Sequence, residues 1–116
     1  MNAHEFVSAI RNVVMNTAVA DALTTAQKPP GRRPSPDLLE LSTWYNGLED
    51  SDREMLRRML AMAVHNTIFG FFAVLDGSRK ADSAADPGDY FELRHVHGTS
   101  EDVLSGPKGD PLHELL

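Results

Sequence analysis

The chain has 116 residues, a net charge of −6, an apolar fraction of 41% and no cysteine. That length suits one domain, 1–116, with a single core. The missing cysteines exclude disulfides and thiolate metal sites and fit a reducing cytoplasm. The negative charge argues against nucleic-acid binding, which depends on neutralising phosphates.

The N-terminal MNAHEF carries no basic patch followed by an apolar run, so no secretory signal is expected. Asn2 with Glu5 has capping-box spacing. Phe6, Ile10, Val13, Val14 and Thr17 then follow the helical period, which predicts a first helix from Asn2 to about Leu23. Gln27 to Pro34 holds prolines and a glycine that stop any helix, and Lys28, Arg32 and Arg33 make it a basic, solvated linker.

Ser35-Pro36-Asp37 opens a second helix, with serine as the cap, proline at the first position and aspartate at the positive dipole end. Leu38, Leu41, Tyr45 and Leu48 share one side of it, and Asn46-Gly47 breaks it. The turn to the next helix is short, which predicts an antiparallel hairpin.

Ser51 to Gly77 is the stretch around which the chain is organised. Ser51 and Glu54 suggest a second capping box. Glu54 and Arg58 form a favourable i,i+4 pair. Asp76-Gly77 ends the helix, because glycine takes the left-handed conformation readily. Such a helix is about 36 Å long.

From Met59 to Leu75 the chain carries no Asp, Glu, Lys or Arg for 17 residues. His65, Asn66 and Thr67 interrupt this run, and a span wants about 20 apolar residues. A central core helix with a subunit contact is therefore expected, and no membrane association. A homodimer that uses part of this helix or the first helix is expected from the same pattern, since this half is apolar on more sides than two helices and a thin hairpin can easily cover and two-fold pairs are the commonest assembly. His65 on this helix has the position of a buried polar residue or a general base. Gly70 suggests close approach of another backbone, or a kink.

Ser78 to Asp89 has no apolar residue larger than alanine and reads as an exposed loop. Tyr90 to His97 changes to a period of two: Phe91, Leu93, His95 and His97 fall on one face, and Tyr90, Glu92, Arg94 and Val96 on the other. Gly98-Thr99-Ser100 turns the chain, Glu101 to Ser105 returns it as a second strand, and Leu112, Leu115 and Leu116 dock a last helical turn. The expected fold is α+β and mainly helical: three helices, the third long and central, with a small C-terminal β-hairpin.

Three functional readings arise. His95 and His97, at i and i+2 of a strand, project to one side and make a candidate metal pair. A site would need a third ligand, from His65, Asp89 or His113, and would serve a small metal-dependent hydrolase or a metal-binding protein. No serine or cysteine nucleophile, calcium loop or phosphate loop is recognisable, so no catalytic residue and no cofactor is assigned.

The second reading is an interaction surface. From Asp76 onward nine acids face four bases. Asp82, Asp86 and Asp89 lie beside Tyr90 and Phe91, the composition of a surface for a basic protein partner. The third, LHELL, fits an L-x-x-L-L docking pattern of only five residues.

Trp44-Tyr45-x-x-Leu48, Asp52-Arg53, Phe69-Gly70-x-x-x-x-Leu75-Asp76-Gly77, Phe91-Glu92-Leu93 and Leu112-His113-x-Leu115 occur in this order. The series resembles a group of small uncharacterised bacterial proteins with a helical front and a short strand-bearing tail. The resemblance implies a bacterial cytosolic setting and no catalytic activity. The expected function is a non-enzymatic protein–protein interaction module, an inhibitor or immunity-type partner.

Overall fold

The Asn2 amide side chain accepts from the Glu5 backbone at 2.9 Å while the Glu5 carboxylate accepts from the Asn2 backbone at 2.8 Å. This box starts the chain in a computed structural model that describes residues 1–80, 86 and 88–116. Helix α1 (Ala3–Ala9) passes into a π-helical segment (Ile10–Met15) and then into α2 (Asn16–Gln27). Next come α3 (Pro36–Asn46), α4 (Asp50–Leu75), strands β1 (Leu93–His97) and β2 (Ser100–Ser105), and the short α5 (Leu112–Leu115). The fold is α+β and mainly helical, with a two-stranded antiparallel hairpin near the C-terminus.

The first helix is longer than its sequence pattern implies, and it changes phase midway. A π turn holds one more residue than an α turn, so the side chains beyond it are rotated. Val13 and Val14, assigned to the buried stripe by their spacing, are therefore exposed, and Met15 is buried instead.

Helix α3 starts as its sequence predicts, with Ser35 Oγ accepting from the Leu38 backbone and Pro36 at the first position. It packs chiefly on α2 rather than lying along α4 as an antiparallel hairpin. Asn46 ties it there by donating to the Gln27 carbonyl at 3.0 Å. Arg53 joins it to the start of α4: its guanidinium donates to the carbonyls of Tyr45 and Asn46 and sits 5.3 Å from the Tyr45 ring centroid. A cation thus caps the negative end of α3.

Helix α4 begins one residue before the expected cap. Its N-cap is Glu49, with no side-chain cap bond, and Ser51 lies inside the helix. The expected Ser51–Glu54 box does not form, because Ser51 is not at the cap; Glu54 instead pairs with Arg57 at 2.6 Å and Arg58 at 3.4 Å. These pairs hold the Glu54 carboxyl down to about 2, chiefly through the Arg57 hydrogen bond. Gly77 ends the helix in the left-handed region at φ 77°, and the Ser78 and Arg79 amides donate back to the Ala73 carbonyl.

The core is small. Val7, Phe72 and Leu112 are its buried centre, with Ala3, Phe6, Ile10, Ile68, Leu75, Leu93, Leu115 and Leu116 packed around them. Leu112, Leu115 and Leu116 thus dock within the chain, so the L-x-x-L-L pattern serves the fold. The hairpin pairs His95 with Asp102 and His97 with Ser100, and its register shifts between Leu93 and Arg94. The shift leaves Leu104 without a partner across the ladder. At such a bulge two successive residues can point inward, and Leu104 and Ser105 are both buried.

Candidate functional site

The histidine pair lies on β1 as expected, with His95 half-buried and His97 exposed. The candidate third ligands are committed elsewhere or out of place. His113 bonds Asp76, His65 is exposed on α4 and stacks on Phe69, and the Asp89 carboxylate accepts from the Asp86 backbone. Asp102, opposite His95, accepts from the Met1 amino group at 3.0 Å. Among the described residues no group of three His, Asp or Glu side chains is placed to hold a metal ion.

The acidic and aromatic residues before β1 are exposed where the structure describes them. The Asp89 amide donates to the Asp86 carbonyl at 3.0 Å, closing a turn that leaves both aspartates exposed. Tyr90 is 64% and Phe91 52% exposed. On the hairpin that follows, Arg94 pairs with Glu92 and, at 2.6 Å, with Glu101. Asp82, the third aspartate of this reading, lies outside the described residues.

A cluster that the sequence did not suggest sits where α4 ends. The Asp76 side chain is 4% exposed. Its Oδ1 accepts from Ser105 Oγ at 2.8 Å, and its Oδ2 accepts from the His113 backbone at 2.9 Å and from His113 Nδ1 at 2.8 Å. Burial works against the charge on Asp76. The hydrogen bonds from the His113 backbone and ring, the Leu112 backbone and Ser105 outweigh it and hold the carboxyl below its ordinary value. The His113 ring packs edge-on against Phe69, with centroids 5.4 Å apart.

The residue types are those of a hydrolase triad, but the order is not. In a triad the imidazole stands between the serine and the acid. Here the carboxylate stands between the serine and the imidazole, so the His113 ring does not face the Ser105 hydroxyl. The arrangement staples α4, β2 and α5 together.

The other face of α4 is the second feature that spacing alone did not resolve. Arg53, Leu56, Leu60, Val64, Ile68, Phe72 and Leu75 turn towards the rest of the chain and are buried or half-buried. On the opposite side Met55, Met59 and Met62 are about three-fifths exposed, and Asn66 and Phe69 continue the line. Of the most apolar 18-residue stretch of this helix, 11% is buried. Among the described residues α4 is the one helix long and apolar enough, by length and composition, to cross a membrane.

No protein-family model, curated protein or solved structure matches the chain.

Proposed function

We propose that the chain is a non-enzymatic protein–protein interaction module of the bacterial cytoplasm, an inhibitor or immunity-type partner that engages a basic protein. One observation carries this reading: Tyr90 and Phe91 are exposed, and so are Asp86 and Asp89 just before them in the chain. Exposed aromatics next to a charged rim are the composition of an interface anchor. The order of groups at Asp76 supports it, since that cluster is arranged to staple elements and offers no activated nucleophile.

The test starts with affinity capture from the host and identification by mass spectrometry. Association rates of the purified pair are then measured from 0.01 to 0.15 M salt, where the Debye length falls from about 30 to about 8 Å. The parent rate should fall steeply across that range. Tyr90→Ala with Phe91→Ala should weaken binding by at least about tenfold, mainly in the dissociation rate. Unchanged binding by the double variant removes this surface from the function.

A further inference from the structure

The chain exposes far more surface than its mass requires. Its accessible area is 8503 Å², whereas a compact monomer of 12.8 kDa exposes about 6,300 Å². The six undescribed residues, roughly 0.5 kDa, supply at most about 750 Å² even as extended chain. About 1,400 Å² per copy remains in excess. The radius of gyration agrees: it is 18.6 Å against about 13 Å for a compact chain of this length.

That surplus is comparable in size to the area one subunit contributes to an obligate homodimer, whose interfaces run from about 2,000 to 5,000 Å² in total. Part of it lies on the apolar stripe of α4, in a regular pattern. Met55, Met59, Met62, Asn66 and Phe69 follow one another at spacings of four, three, four and three residues, the spacing of a coiled-coil seam. The stripe is free of formal charge, so a second copy meets no like charge there although each chain carries −6.

Asn66 indicates the orientation. In a parallel, in-register pair it faces its own copy, and the two amides satisfy each other. In an antiparallel pair that overlaps the whole stripe it faces a methionine and loses that partner. A single Asn on such a seam is a known determinant of register.

We infer that α4 is a homodimer interface, with the Met55–Phe69 stripes of two copies parallel and in register and Asn66 against Asn66. This stands on observations separate from the Tyr90–Phe91 surface.

The experiment is light scattering on the full chain at tens of micromolar, with disulfide cross-linking of single-cysteine variants. The parent should give twice the 12.8 kDa chain mass. Met59→Glu with Met62→Glu, at positions exposed in the single chain, should halve that mass and keep the helical circular dichroism. Asn66→Cys and Met59→Cys should each form same-residue disulfides on mild oxidation, because Cα atoms within about 7 Å can be bridged. An antiparallel pair has one centre and cannot give both.

A monomeric parent overturns the inference. So does a dimer whose mass the glutamates leave unchanged while the fold is kept. A dimer with only one of the two disulfides overturns the parallel register. The cross-links decide the matter if the glutamate variant fails to fold. Monomer that floats with phosphatidylcholine vesicles overturns the inference in favour of a lipid-facing α4.

Discussion

Asp76 receives hydrogen bonds from residues 29 and 37 positions away. Asp76→Ala removes the acceptor from the buried Ser105 hydroxyl and from the His113 backbone, and donors left without partners are expensive. The expected loss is about 3 kcal/mol, read from the urea midpoint. The sign of the pH effect follows from the lowered pKa. The stabilisation is present above the ordinary carboxyl value of 3.8 and is lost as pH falls from there through the folded value. Melting temperatures of the parent should therefore drop below about pH 4, and Asp76→Asn should flatten that part of the curve. Gly70 makes a second prediction. A Cβ there would lie 2.9 Å from Arg79 Nη1, the far end of a flexible side chain. The neighbour is a side chain, not the backbone approach that a helix-interior glycine suggests, so it moves aside. Alanine also gains about 1 kcal/mol of helix propensity. Gly70→Ala should raise stability by about 0.5 kcal/mol in the same urea assay.

At the scale of elements, α5 is the test of how the small core is held. Leu112 is fully buried between α1 and α4, and its truncation should cost about 3 kcal/mol by the usual range for leucine to alanine. A four-residue helix cannot stand alone, so this variant should also release the Asp76–His113 contact. Amide exchange at His113 would then become fast while α4 stays protected. The hairpin is a second element with a measurable property. His95 and His97 are two ligands, and structural zinc sites use four. Elemental analysis of purified protein should find well under one metal per chain, and zinc should leave the melting temperature of the parent and of His95→Ala/His97→Ala unchanged. Stoichiometric zinc removed by that double variant would restore the metal reading.

For the whole molecule, a dimer built on the exposed stripe of α4 would make stability depend on assembly. A dimer that buries it should melt at a temperature that rises with protein concentration, whereas a monomer should not. Scanning calorimetry from about ten to several hundred micromolar separates the two, with a rise of several degrees expected over that range. Lys28, Arg32 and Arg33 lie in the exposed linker, away from the acidic residues around Tyr90 in sequence. The basic and acidic parts of the chain are thus separate in sequence.

What the sequence determined by itself was local. The Asn2 box, the Ser35-Pro36 start, the Gly77 stop and the hairpin were legible, because each rests on residues within one turn or one strand pair of each other; the docking of the last leucines was legible only from their apolar spacing, since their partners lie in α1 and α4. Tertiary structure decided the rest. Ser51 lost its capping role because α4 starts ahead of it, at Asp50. Val13 and Val14 moved to the surface because a π turn rotated everything beyond it, and no spacing rule records that extra residue. The Asp76–Ser105–His113 staple joins positions far apart in the chain, so no motif announced it. The same holds for α4. Its missing charge was plain from the sequence, but which apolar face meets the core and which is left bare depended on where α2 and α5 settled. A helix that is apolar on two sides can satisfy only one of them within so small a chain.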